Sequence, residues 1–389
     1  MFKISSGIKT RESRRKGETM EDERFMQIAL NLARETTGQT TPNPVVGAVI
    51  VKNEEIIGIG AHLKSGGKHA EVHAIDMAGN NVKDAILYVT LEPCSHQGKT
   101  PPCTDLIINS GIRRVVIATE DPNNKVNGIE ILKAAGIEVK KGVLEKKAKR
   151  LNTPFFHFIR NKRPYVTLKT ASTFDGKIAT KTGESKWISS QEARCDAHMY
   201  RHTHDAILVG VNTVIADNPR LTTRLKNEDG RNPIRVILDT HLRTPSDANV
   251  ITDREAETWI FVGNKVTEKA KRLYIWHEQV TIIQLESETI SIRKVLDELG
   301  KRNITSLFVE GGSSVNGSFL RERLFNQFIV YLAPKLIGGH NAPSTFTGTG
   351  FAILAESPVL TIDQVEQLGA DLKIVATYEK EEEYVYRDY

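Results

Sequence analysis

From residue 45 to residue 339, short β-branched runs alternate with helix-patterned stretches, and this alternation restricts the fold more than any other feature. "VVGAVIV" (45–51) and "EIIGIGA" (55–61) flank "KNE", which is the pattern of a hairpin. Later runs come singly: "ILYVTLEP", "RRVVIAT" and "IEVKKGVL" are separated by the helical "HAEVHAIDMAG", "TDLIINSG" and "GIEILKAAG". Parallel strands need a crossover, and a helix supplies it, so the pattern predicts a layered α/β domain. Upstream, Phe25, Ala29, Leu32 and Ala33 share one face of a helix that begins at Glu21. After a basic amphipathic stretch (145–164), a second α/β set starts at "YVTLKTA" and runs to "FIVYLAPKLIGG". A chain of 389 residues exceeds one ordinary core. The boundary is placed near Pro164, giving domains at 21–164 and 165–389.

Charge is unevenly placed. Residues 1–20 carry +4 of the formal +5, which leaves +1 for the other 369. That segment is expected to be a disordered basic extension, and the acidic end "EKEEEYVYRDY" a solvated terminus. No apolar run reaches the ~18 residues of a membrane span, and no secretion signal is evident. Three cysteines do not make a disulfide framework, so a reducing, cytoplasmic setting is expected. A body at +1 with 6% aromatic residues argues against a surface that tracks nucleic acid.

Two of the cysteines bracket the loop "LEPCSHQGKTPPC" (91–103). Upstream, "HAEVHA" places His69 and Glu71 at the start of a helix. His69, Cys94 and Cys103 would give one imidazole and two thiolates, with a fourth tetrahedral position of a zinc ion left open. Glu71 would face the same cleft as a general acid/base. Zinc nucleobase deaminases carry His-x-Glu followed by Pro-Cys-x-x-Cys, whereas eight residues separate the cysteines here. Other uses of these residues are a Cys94–Cys103 disulfide, a closed structural zinc module, or a deaminase acting on nucleic acid with an appended binding domain. His73 and His96 are read as packing and loop residues, and Cys195 as a small buried side chain.

The stretches "TPNPVVGAVIV", "GAHLKSGGKHAEVHA", "YVTLEPCSHQGKTPPC" and "DPNNKVNG" resemble the bifunctional riboflavin-biosynthesis deaminase/reductase family. The longer cysteine loop is that family's own form of the motif. The likeness continues through "YVTLKTASTFDGKIAT", "GESKWISS", "DAILVGVNTVIADNPRLTTR", "FVEGG" and "APKLIGG". It implies a cytidine-deaminase-like three-layer α/β/α domain followed by a dihydrofolate-reductase-like α/β domain. It also implies a homo-oligomer acting on a small pyrimidine ribosylamine phosphate. The first half would deaminate 2,5-diamino-6-ribosylamino-4(3H)-pyrimidinone 5′-phosphate, with His69, Cys94 and Cys103 on zinc and Glu71 moving the proton. Asn43, His62, Lys99, Thr100, Asp121 and Asn123 match positions that line that pocket. Asn124 and Glu130 depart from the family pattern, which has a proline and a glycine there.

The second half would reduce the ribosyl chain with NADPH. Its bottom-up signal is "SLFVEGGSSVNGSFL", a strand, a glycine turn and a helix start able to face a phosphate. The resemblance assigns the cofactor to Ala171, Trp187, Thr213, Asp217, Thr240 and the turn Gly312, Ser313, Ser314, Val315, Asn316, Gly317 and Ser318. It assigns the substrate to Ser185, Arg201, Leu221, Arg224 and Glu310, with the two arginines as forks for phosphate. No residue announces itself as the acid of the reductive step.

Overall fold

The computed structural model describes residues 11–96, 101–226 and 230–378, with side chains from residue 19 onward. The chain divides into two compact units, Met1–Arg160 and Asn161–Tyr389.

In the first unit, β1 (Gly47–Lys52) and β2 (Glu55–Ala61) form the expected hairpin, turning at Asn53 and Glu54, both with positive φ. β3 (Ile86–Val89), β4 (Arg114–Ile117) and β5 (Glu138–Lys141) complete a sheet of order β2-β1-β3-β4-β5, parallel from β3 onward. Alternate side chains serve opposite faces. Ala48, Ile50, Leu87 and Val115 pack on one side with the helices Ala70–Ala78 and Cys103–Asn109. Val49, Val51, Tyr88 and Val116 pack on the other with Phe25, Met26, Ala29 and Leu30. These are the three expected layers. Leu32 is only partly buried, and Met26 and Leu30 complete the apolar face instead.

The first helix spans Arg11–Arg34, so it runs back through residues 11–20, which composition had assigned to a disordered extension. Once the buried face is docked, adding turns of Arg, Glu and Lys costs little. The stretch 145–164 is two helices, Glu145–Leu151 and Thr153–Asn161, not one. They break at Asn152, whose buried amide bonds both the N–H and the carbonyl of Val45 at 2.9 Å.

One contact places the first site. A Cβ on Gly58 or Gly60 of β2 would fall 2.2 Å from the Ala74 carbonyl or 2.1 Å from the Ala70 carbonyl. Only glycine lets the helix Ala70–Ala78 lie directly on the strand, and that helix carries Glu71.

The second unit is one nine-stranded sheet. Its strands are β6 (Tyr165–Thr173), β7 (Ala206–Gly210), β8 (Ile234–Leu238), β9 (Thr258–Val262), β10 (Val280–Gln284), β11 (Ser306–Val309), β12 (Gln327–Ala333), β13 (Thr361–Leu368) and β14 (Asp371–Thr377). The order is β10-β9-β8-β7-β11-β6-β12-β14-β13. Pairing is parallel as far as β12, and β14 and β13 are antiparallel. β6 opens the unit in sequence yet lies between β11 and β12, with β7 beyond β11. Successive connections therefore diverge at the carboxyl ends of β6, β7 and β11, where open α/β sheets bind ligands.

Candidate active sites

The first site is built on three loop-to-helix junctions. His69 is the residue before the helix Ala70–Ala78, Cys94 follows β3, and Cys103 opens the helix Cys103–Asn109. His69 Nδ1 lies 3.3 Å from Cys103 Sγ and 3.5 Å from Cys94 Sγ. All three donor atoms fall within 4.8 Å of one another. A tetrahedral zinc with ordinary Zn–N and Zn–S bonds needs N···S edges of about 3.6 Å, so the donor set fits that ion. Both cysteines are free, and no fourth His, Cys, Asp or Glu joins the group among the described residues. The Cys103 N–H donates to Cys94 Sγ at 3.4 Å, and the Thr104 N–H to the Cys94 carbonyl at 3.2 Å. The Cys103 hydrogen bond, helped by His69, draws the Cys94 thiol well down toward the thiolate a metal requires.

Glu71 is buried, and burial pushes its carboxyl up. His62 is fixed by its neighbours. Its Nδ1 faces the Lys68 carbonyl at 3.1 Å and so must carry the proton, leaving Nε2 to accept from Asn43 Nδ2 at 3.1 Å. Its ring stands edge-on to His69 with centroids 5.3 Å apart. Asp121 accepts the Asn123 N–H at 2.8 Å, and burial, with Glu92 close by, pushes its carboxyl up to about 6. Lys99 and Thr100 lie outside the described residues.

Sequence reasoning missed Glu92. Its carboxylate accepts the Asp121 N–H at 3.2 Å and the Ile129 N–H at 3.0 Å, joining the two loops behind the site. The signal was present: Glu92 precedes the Pro-Cys of the motif. Glu130, one of the departures from the family pattern, pairs outward with Lys133.

The second site is a charge cluster drawn from distant elements. Arg201, on the helix Gln191–Thr203, forks onto Glu310 at 2.6 and 3.0 Å. Lys169 of β6 approaches the same carboxylate at 3.5 Å. Burial pulls the Glu310 carboxyl upward, but Arg201 and Lys169 outweigh it and hold it far below the usual range. Arg201 Nη1 donates to the Thr222 carbonyl at 3.0 Å, so each of its three nitrogens already holds a partner within the protein. Arg224 is exposed, and among the described residues its side chain reaches only the Thr222 hydroxyl, at 3.3 Å. Leu221 is buried, and Ser185 is half-buried with its carbonyl bonded to Ile188. Lys169 was also missed, although a lone lysine in "YVTLKTA" was visible.

Of the expected cofactor positions, Thr213 and Gly312 come together: Thr213 Oγ1 is 3.8 Å from where a Gly312 Cβ would stand. Ser313 and Ser314 open the ten-residue helix Ser313–Glu322, and the Ser318 hydroxyl bonds back to the Ser314 carbonyl. Val315, Asn316 and Gly317 also make packing contacts. Val315 fills the space that Gly210 and Gly311 leave, Asn316 bonds the Thr345 carbonyl, and Gly317 presses on Thr347. Ala171 packs against the core beneath, and the Thr240 carbonyl accepts from Gly263. Trp187 is exposed, with Arg194 4.4 Å over its ring and its carbonyl bonded to Lys335. Asp217 lies 3.7 Å from Lys186. Cys195, expected to be buried, is exposed.

Residues 19–119 match the cytidine and deoxycytidylate deaminase zinc-binding region, and residues 164–374 match the RibD C-terminal domain. The riboflavin biosynthesis protein RibD of Bacillus amyloliquefaciens is 51% identical over 373 residues, covering 94% of this chain and all of that one. The chain belongs to the RibD family. Its Aquifex aeolicus member is 47% identical, covering 91% of this chain and 97% of the relative. A Thermotoga maritima structure, described as a diaminohydroxyphosphoribosylaminopyrimidine deaminase/5-amino-6-(5-phosphoribosylamino)uracil reductase, superposes with TM-score 0.84 at 38% identity. It covers 93% of this chain and all of the other. The chain is thus a bifunctional enzyme of riboflavin biosynthesis, with a zinc-binding deaminase domain preceding a dihydrofolate-reductase-like reductase domain. A deaminase for nucleic acid is not what these relatives are. No described helix is long and apolar enough to cross a membrane.

Proposed function

We propose that the first unit hydrolyses the 2-amino group from 2,5-diamino-6-ribosylamino-4(3H)-pyrimidinone 5′-phosphate. The second unit then reduces the ribosyl chain of the product with NADPH, giving 5-amino-6-ribitylamino-uracil 5′-phosphate. The observation that carries this reading is the His69–Cys94–Cys103 donor set with zinc-sized edges beside buried Glu71, in a chain that matches a RibD over 94% of its residues.

Bound zinc would supply a Lewis acid and make water nucleophilic near neutral pH. Glu71 takes a proton from the attacking water and delivers it to the departing amine. Water is consumed, the C–N bond breaks, a carbonyl replaces it and ammonia leaves. Asn43 has committed its amide N–H to His62, so its oxygen is left to accept from the pyrimidine. Asp121 and Asn123 flank the ring, and Lys99 and Thr100 take the phosphate.

NADPH would supply the hydride to C1 of the ribosyl group. The start of the helix Ser313–Glu322, with Gly312 and Thr213, receives the pyrophosphate, and Trp187, Ala171, Asp217 and Thr240 border the rest of the cofactor. Glu310, aligned by Arg201, meets the substrate together with Ser185 and Leu221, and Arg224 takes its phosphate. Three unpaired cysteines fit a cytoplasmic setting, and the family resemblance extends to a homo-oligomer.

Metal analysis alongside two assays tests this. Purified protein should carry about one zinc per chain, release ammonia from the diaminopyrimidine, and oxidise NADPH only with the deaminated product. Full activity without metal would overturn the first half. Reduction of only the undeaminated pyrimidine would reverse the proposed order.

A further inference from the structure

We propose that His198 is a positioning residue for the reductase substrate's phosphate: its imidazole, as a hydrogen-bond acceptor, fixes where Arg224 presents its guanidinium. The inference deepens the reading of the second unit as a sugar-phosphate reductase and rests on it.

The helix Gln191–Thr203 carries His198, Arg201 and His202 on adjoining turns, and all three grip the backbone of the segment beyond Leu221. The Arg224 N–H donates to His198 Nδ1 at 3.2 Å, and the Arg231 N–H to His202 Nδ1 at 3.0 Å. Arg201 holds the Thr222 carbonyl between them. The two ends are also tied to each other: the Thr223 hydroxyl donates to the Arg231 carbonyl at 2.8 Å and the Thr223 N–H to Asn232 Oδ1 at 2.9 Å. At the far end, the Arg231 side chain reaches the His204 carbonyl at 2.7 Å. At the near end, the Arg224 backbone N–H itself is held by His198.

Arg224 is the member of the cluster whose charge is uncompensated. Arg201 is neutralised by Glu310 and Arg220 pairs with Glu255, but no carboxylate pairs with Arg224 among the described residues. Partial loss of water around its otherwise exposed side chain lowers its pKa, and the neighbouring Arg201 and Arg220 lower it further, which is the environment of a cation that lacks an anion. A sugar phosphate supplies that anion, and a guanidinium binds it well only when its fork is aimed.

For Nδ1 to accept, the imidazole must be neutral with its proton on Nε2. Burial, reinforced by Arg201 and Arg224, keeps its pKa down to about 4, so the acceptor persists at neutral pH. Its absence would free the Arg224 backbone and loosen the fork. The charge itself would remain.

The test uses the full chain and measures reductase kinetics on the deaminated substrate with and without its 5′-phosphate. In His198→Leu, KM for the phosphorylated substrate should rise about tenfold. Meanwhile kcat and KM for NADPH should move less than about twofold, since the phosphate lies away from the reacting carbon. With the dephosphorylated substrate, the variant and the parent should coincide. His198→Asn, whose Oδ1 can take the same N–H, should regain most of the phosphate preference. Ammonia release by the first unit reports an intact chain, and His198→Ala makes the same deletion should Leu fail to fold. The proposal falls if the Leu variant keeps the parent's phosphate preference, if it weakens both substrates equally, or if Asn behaves like Leu. Arg224→Ala separates the two levels: an unaltered phosphate preference there would mean that the phosphate binds elsewhere, and the underlying reading fails with it.

Discussion

The two units build opposite electrostatic environments. The first converges an imidazole, two thiols and a buried carboxyl on one point, a set of lone pairs suited to a cation. The second sets Lys169 and Arg201 on a single, largely buried carboxylate and leaves Arg224 without a carboxylate among the described residues, so positive charge is in excess for an anion. A cation that needs all three of the protein's donors is a yes-or-no requirement. An anion met by exposed guanidinium groups is a graded one. Damage to the first site should therefore be near total, and damage to the second should come in steps.

The largest effect expected is at Glu71. Glu71→Gln keeps the three donors, so zinc content should be unchanged while ammonia release falls by about 10²–10⁴. NADPH oxidation with the deaminated product should be untouched. A parallel loss of both activities would break the contrast between the units. If ammonia release survived, the site would be structural.

Next comes Arg201→Met, which leaves Glu310 buried and opposed only by Lys169 at 3.5 Å. Removing one partner of a buried pair costs about 3–5 kcal/mol. The three tryptophans, Trp187, Trp259 and Trp276, all lie in the second unit, so urea unfolding followed by their fluorescence reads it selectively. Adding Glu310→Gln should recover most of the stability but not the reductase activity. Equal stability of the parent and Arg201→Met would show that the pair is effectively solvated.

What the residues disclosed follows the same division. His69, Glu71, Cys94 and Cys103 lie within 35 positions and have distinctive chemistry, so spacing alone brought them together. The strand-and-helix alternation likewise foretold both sheets. Lys169, Arg201 and Glu310 span 141 positions, and each alone reads as a surface charge; only the placement of β6 beside β11 joins Lys169 to Glu310. β13 went unread because "TIDQVEQL" is polar, as suits an edge strand largely exposed to solvent. The break at Asn152 could not be foreseen, because its cause is the backbone of Val45, 107 positions away. The holds of His198 and His202 were hidden for the same reason, since their partners are main-chain N–H groups that no side-chain pattern reveals.

A pH titration of stability sharpens the contrast from another side. His204 is buried, and burial pushes its pKa down to about 4 from 6.5. Between those values the unfolded chain binds a proton that the folded chain refuses. Stability is therefore full above pH 6.5 and is lost as pH falls toward 4, by up to about 3 kcal/mol. The pKa of His198 is pushed down to about 4 as well, so His204→Gln should reduce that slope by about half in the tryptophan-monitored unfolding of the second unit. An unchanged slope would place the proton uptake on other groups.

The smallest effect expected is that of salt, and it bears directly on the difference between the sites. Arg224 is exposed, so on the proposed reading it would meet the substrate phosphate in solvent, where the screening length shrinks from about 10 Å at 0.1 M to about 3 Å at 1 M. KM for the deaminated substrate should rise a few-fold over that range, with kcat nearly constant. The His69, Cys94 and Cys103 donors would hold zinc by coordination rather than by screened charge, so metal content and the kcat of ammonia release should not move over the same range. A flat KM would mean that the phosphate is held by buried groups rather than by Arg224, and a salt-dependent loss of zinc would mean that the first site is more open than His69, Cys94 and Cys103 make it.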